Sequence, residues 1–375
     1  MNRRIIIVVD GLPRTGATAA LKWFLEWLVE LSVDVTVFNR SDDSFCEWMP
    51  RQIRQAGLPS CIARSSLREF FCSGLWIRHF RHVAERLMMS VAGRFPAATP
   101  TWLMQLCNSH QGKYDVAISY NDDFPNIYVR AFKAKRHFGW NHEDYGLCMM
   151  AGRPKSEVSE YLARLDGVFS VSRTAANSLA SLSPGIHTHV FHNLYPVKSI
   201  SLFNNERSCD EICIRSAGRL DVRKRFDWCV MAACELKRKG IKFRWSIYGE
   251  GEERESLVDL SRKCGVEDCL NFPGYDENWS RECGVDTIYV QTSECEGWGL
   301  AVEEAALTGA RVICSNLPVF HELADVLGAS FSFVQSVKEL VQEIERGPDH
   351  YEISHTAIDE MYKLDCSEFE KVVLR

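Results

Sequence analysis

Two glutamates, Glu296 and Glu304, stand with seven residues between them in the stretch "SECEGWGLAVEEAALTG", residues 293–309. The first lies in a glycine-rich turn and the second in a run that reads as a helix. On one continuous helix eight residues turn ~800°, which would leave the two side chains about 80° out of line. Gly297 and Gly299 make the first part a loop, so Glu296 is free to fold back. The same glycines allow backbone amides to come close to a ligand, and Leu300 opens a helix whose positive end points to the same place. A plainer reading makes Glu303 and Glu304 first-turn acids that complement the helix dipole. Upstream, "AGRLDVRKRFD" leaves a strand with Arg219 and reaches Lys224 just before a helix. Two cations beside a helix N-terminus make an anion site, because a guanidinium grips two oxygens and free N–H groups add to it. The plain alternative is a solvated pair of loop charges.

Elements at both ends of the chain must position these loops. "RRIIIVVDGLPRTGATAALKWFLEWLVELSVDVTVFNR" gives an unbroken apolar strand, a Gly/Pro turn, an amphipathic helix and a second strand from Val33 to Phe38. Strands apolar on both faces belong to parallel sheets covered on both sides. "YDVAISY", "RHFGW" and "GVFSVS" read as further buried strands. The polar stretch 196–211 reads as a linker, and a second α/β alternation starts at "ICIRSAGRL". The expectation is α/β with two Rossmann-like doubly wound domains facing a cleft, ligands sitting at the carboxyl ends of the strands. The boundaries expected are an acceptor-binding domain over 1–195, a donor-binding domain over 196–355, and a tail helix over 356–375 returning to the first domain.

The order "AGRLDVRKRFD", "YGEGEERESL", "FPGY", "SECEGWGLAVEEAALTGARVICSN" and "HE" resembles the donor half of retaining GT-B glycosyltransferases of family four, the group 1 glycosyltransferases, and covers about 110 residues closely. Their E-x7-E signature matches Glu296 and Glu304, and their G-R-L…K segment matches Gly218, Arg219, Leu220 and Lys224. The resemblance implies that Arg219 and Lys224 neutralise the diphosphate of a nucleotide-sugar, with UDP favoured over GDP. It implies that Glu296 bonds the donor sugar, Glu304 the ribose, and the amides of Gly297, Trp298, Gly299 and Leu300 the phosphates. The turn at Gly274 and Tyr275 would pass near the base. Two positions depart from the family: Trp298 where phenylalanine is usual, and Arg225 where glycine commonly follows the lysine. In the first domain the resemblance sets Gly16 near the reaction. "GWNHEDY" resembles a W-x-H-x-D segment of bacterial surface-polysaccharide members and would set His142 beside the transferred sugar. The plain alternative for His142 is a ring satisfied by a loop carbonyl. The implied reaction is transfer with retention of configuration to a glycan or lipid-linked acceptor. No metal or other cofactor is expected: two cations and a helix end supply the charge, and the sequence has no D-x-D pair.

Composition narrows the rivals. With 375 residues, 46% hydrophobic, 25% charged and a net charge of -6, the chain reads as a folded two-domain protein and not as a dedicated nucleic-acid binder. "IIIVVD" is too short for a signal-peptide core, and the 15 cysteines show no C-x-x-C spacing, so reduced thiols in a cytoplasmic protein are expected. Residues 63–95 carry six arginines against two glutamates, interleaved with Leu67, Phe70, Phe71, Trp76 and Phe80. Such a surface can lie on anionic lipid at the inner face of the membrane, or be two helices with a solvated basic face. A dinucleotide-dependent oxidoreductase would need G-x-G-x-x-G after a first strand, and neither domain has it. A non-catalytic carbohydrate-binding descendant of the fold is the third reading.

Overall fold

The computed structural model describes residues 3–11, 16–39, 48–57, 112–121, 126, 128–145, 155–195, 211–349 and 355–375, with isolated positions between 84 and 105. Residues 63–95, read above as basic and amphipathic, thus lie almost wholly outside the described residues, as does the linker 196–210. The chain forms two compact units: 1–194 with 365–375, and 195–364.

The first unit is a seven-stranded sheet built from β1 (Arg4–Val9), β2 (Asp34–Asn39), β3 (Arg54–Gly57), β4 (Lys113–Ser119), β5 (Lys133–Asn141), β6 (Gly167–Ser170) and β7 (Thr188–Val190). All its pairs are parallel, in the order β3-β2-β1-β4-β5-β6-β7. Helices α1 (Gly16–Glu30), α2 (Lys155–Leu162) and α3 (Arg173–Leu182) belong to the same unit. Ile5 to Val9 are all fully buried, which explains why β1 has no alternating pattern: both faces of the sheet are covered. An aromatic cluster of Phe24, Tyr120, Trp140, Phe169 and Phe191 packs against Phe369 of the C-terminal segment. That segment is also held by polar contacts. Asp365 accepts from the His192 amide at 2.8 Å and from its Nδ1 at 2.7 Å, while Arg136 donates to Val373 O at 2.6 Å.

The second unit repeats the plan with six strands: β8 (Ile212–Ala217), β9 (Phe243–Tyr248), β10 (Leu270–Gly274), β11 (Thr287–Gln291), β12 (Arg311–Ser315) and β13 (Ser332–Val334). Their order is β10-β9-β8-β11-β12-β13, again all parallel. The helices are α4 (Phe226–Arg238), α5 (Arg254–Cys264), α6 (Leu300–Leu307), α7 (Pro318–Leu327) and α8 (Val337–Glu345). A last helix, α9 (His355–Phe369), starts in this unit, and its final residues count with the first. Helix ends follow their chemistry: Asp227 sits in the first turn of α4 and Lys237 and Arg238 in its last, and left-handed Gly265 closes α5. The strand order reverses direction between β8 and β11, the place where open α/β sheets bind ligands. Among the described residues no helix is long and apolar enough to cross a membrane.

One expectation about the cysteines is corrected. Eight of the described cysteines are free, but Cys295 is disulfide-bonded.

Candidate functional site

The loops at the reversal point are tied to one another by their backbones. Gly218 N donates to Tyr248 O at 3.0 Å, Leu220 N to Glu250 O at 2.9 Å, and Gly249 N to Gly274 O at 2.9 Å. The loops after β8 and β9 come so close that a Cβ on Gly249, whose φ is +134°, would lie 1.9 Å from the Gly218 carbonyl oxygen. Only glycine fits there.

Asp221 organises the turn that follows. Its carboxylate accepts from the amides of Arg223 at 3.0 Å and Lys224 at 3.2 Å, capping a short 3-10 turn. It also takes Arg219 through Nε at 2.8 Å and a terminal nitrogen at 2.6 Å, which leaves the Arg219 side chain 50% exposed. Lys224 runs past Gly218, where a Cβ would sit 3.8 Å from its Cδ and Cε. Its Nζ donates to Glu296 Oε1 at 2.5 Å, with both side chains largely buried. The two residues matched to different halves of the family pattern are therefore in direct contact, while Arg219 stands apart on Asp221.

Arg225 takes a left-handed backbone, φ +51°, the region that favours glycine. Its guanidinium bonds Asp227 at 3.1 Å and Glu294 at 2.8 Å and lies 5.0 Å over the Trp228 ring. Those contacts join the loop after β8 to the loop after β11, as does the Glu294 N to Arg223 O bond at 2.8 Å.

Glu296 is oriented from behind by residues that sequence reading passed over. Tyr289 OH reaches Gln291 Oε1 at 2.6 Å, Gln291 Nε2 donates to Ser293 Oγ at 2.8 Å, and Ser293 Oγ donates to Glu296 Oε1 at 2.8 Å. All three donors are buried. Their i, i+2, i+4 spacing puts them on one side of the strand and its extension, so polar groups at alternate positions of an otherwise apolar strand were the available signal.

Gly299 caps α6 with φ +92°, and a Cβ there would lie 2.7 Å from Phe320 Cε1. The amides of Leu300 and Ala301 have no acceptor among the described residues, as expected for a first helical turn. Trp298 is buried, and its indole N–H donates to Glu303 Oε2 at 2.7 Å. Glu303 lies in the first turn of α6, and it is fully buried. Glu304 is half-buried, and burial, reinforced by the charge of Glu303, pushes its pKa up to about 8 against an opposing hydrogen bond from Trp279. Near neutral pH Glu304 holds its proton much of the time. At the end of β10, Gly274 is buried and Tyr275 is 46% exposed.

Gly16 and His142 belong to the first unit. Gly16 is the exposed first residue of α1. His142 follows β5, and its Nε2 bonds the Tyr120 carbonyl oxygen at 2.6 Å. Burial lowers its pKa to about 4, outweighing that bond. The ring is neutral at physiological pH, so Nε2 is the donor in that bond.

Two doubly wound parallel sheets in one chain, the second with its reversal point lined by cations, acids and a helix end, define the GT-B fold. A structure of Staphylococcus aureus TarM, solved with Fondaparinux, alpha-GlcNAc-glycerol and UDP, superposes with a TM-score of 0.66 at 11% identity over 99% of this chain and 97% of that one. Anabaena HepE, solved with UDP and glucose, gives 0.62 at 12% identity over 92% and 89%. Residues 198–358, which make up most of the second unit, match the family model "Glycosyl transferases group 1". A GtfA subunit of a Streptococcus parasanguinis UDP-N-acetylglucosamine–peptide N-acetylglucosaminyltransferase is 25% identical over 42% of this chain and 30% of its own length. The Escherichia coli O-antigen biosynthesis glycosyltransferase WclY is 29% identical over 32% of this chain and 39% of its own length. The chain thus matches well under half the length of these curated relatives.

Proposed function

We propose that this protein is a retaining glycosyltransferase that moves a sugar from a nucleoside diphosphate donor, UDP in preference to GDP, onto a glycan or lipid-linked acceptor in surface-polysaccharide synthesis. The observation that carries the reading is the Lys224–Glu296 contact at the mouth of the β8/β11 reversal, beside the N-terminus of α6. In this reading Lys224 and Arg219 take the diphosphate, and the amides of Leu300 and Ala301 add partial positive charge. Negative charge grows on the leaving diphosphate, so fixed donors at that point lower the barrier most. Glu296 holds a hydroxyl of the sugar, and Glu304, kept protonated by its surroundings, both donates to and accepts from the ribose. The positive charge comes from side chains and a helix end, which supports a reaction that proceeds without a divalent ion. The names of relatives solved with UDP or acting on UDP-N-acetylglucosamine support the donor class.

The test is release of UDP from UDP-sugars in the presence of acceptor glycans, with and without EDTA. Turnover that survives chelation and is lost in Glu296→Gln supports the reading; no turnover with any nucleotide-sugar removes it. Retention is read from the anomeric NMR signal of the product. Association with anionic lipid through residues 63–95 belongs to the same proposal, and equal pelleting with neutral and anionic vesicles would remove that part.

A further inference from the structure

Glu303 stands on α6 among Val302, Ala305, Ala306 and Leu307, all fully buried. A carboxylate at 0% exposure is costly unless its oxygens are satisfied. Here Oε2 accepts from the indole N–H of Trp298 at 2.7 Å, and Oε1 accepts from the hydroxyl of Tyr362 on α9. Trp298 is the one bulky residue between Gly297 and Gly299, which carry no side chains of their own to fix the loop. The loop runs from Glu296 to the first amides of α6.

We propose that Glu303 is a positioning residue for the donor site, clamping the Glu296–Leu300 loop through Trp298 to α6 and, through Tyr362, to α9. It touches no substrate; it holds the loop whose amides and carboxylate do. The inference rests on the donor-binding reading given above. Without the clamp the loop samples more conformations, and the nucleotide has to order it on binding.

The test is a double-mutant cycle of Trp298→Phe and Glu303→Leu, with Glu303→Gln as the conservative control. The readouts are the Kd for whichever of UDP and GDP the wild-type protein binds, the acceptor KM, and thermal stability. Each of the first two substitutions leaves a buried group of the other residue without its partner, and should weaken nucleotide binding about tenfold, with the acceptor KM unchanged. The double variant should be no worse than the weaker single one, because both lose the same contact. Glu303→Gln keeps an acceptor for the indole and should stay within about threefold of wild type. Additive losses, or nucleotide affinity unchanged in a folded Glu303→Leu, would overturn the inference. Should Glu303→Leu not fold, Trp298→Phe against Glu303→Gln decides it: equal affinities for the two overturn the clamp. A wild-type protein that binds neither nucleotide overturns the donor-binding reading itself, and the clamp with it.

Discussion

Lys224 Nζ and Glu296 Oε1, 72 positions apart in the chain, meet at 2.5 Å, and each largely neutralises the other. A diphosphate that takes Lys224 therefore competes with Glu296, and releases that carboxylate for a sugar hydroxyl. The two ends of the pair should respond differently to substitution. Lys224→Ala removes a charge-assisted donor and should weaken nucleoside diphosphate binding about 10- to 100-fold. Glu296→Gln removes the competing charge and should bind the nucleotide as tightly as wild type or tighter, while transfer falls about 100-fold. Calorimetric Kd values set against kcat check both; parallel losses in the two variants would contradict the competition.

The chain from Tyr289 through Gln291 and Ser293 to Glu296 should matter for turnover more than for nucleotide affinity. Gln291→Met keeps the volume but removes the acceptor of the Tyr289 hydroxyl and the donor to Ser293, leaving Tyr289 its 3.2 Å bond to the Ala217 carbonyl and Ser293 its bond to Glu296. Stability should fall by about 1–3 kcal/mol. Turnover should fall about tenfold as Glu296 loses its orientation. Denaturant unfolding and kcat measured on the same sample separate the two effects.

Gly299→Ala should destabilise by about 1–3 kcal/mol, since an L-residue is strained at φ +92° and its Cβ meets Phe320. Adding Phe320→Leu should restore only the part due to the contact. Full rescue by the double substitution, read by thermal unfolding, would put the cost in the contact alone.

Glu304 makes stability depend on pH. Its pKa is raised to about 8 in the folded protein, chiefly by burial, from 4.5 as the ordinary value. The stabilisation is complete below the ordinary value and is lost as pH rises through the folded one. Wild-type stability relative to Glu304→Gln should therefore decline between about pH 5 and 8, and a pH-independent difference would contradict the assignment.

Much of the fold was legible because β1, β11 and β12 are buried on both faces and read as apolar runs. The short edge strands were not legible: β3 is "RQAG", β7 "THV" and β13 "SFV", and with neighbours on one side only they carry no pattern. In the site, Glu296, Lys224 and Gly299 announce themselves through glycines and helix starts. The roles of Glu303 and Asp221 do not. Glu303 is a first-turn acid as its position suggests, but its contact with Tyr362, 59 positions away, has no local signal. Asp221 was hidden because a cap that also holds Arg219 depends on a turn that only the structure displays. His142 was open to two readings, and its bond to the Tyr120 carbonyl is the contact of the plainer one.

Calorimetric titration of UDP into the wild-type protein and into Lys224→Ala tests the central claim most directly. The account predicts saturable one-site binding to the first, weakened at least tenfold in the second with the fold intact. No binding of UDP or GDP to the wild-type protein, or the same affinity in both proteins, would contradict it.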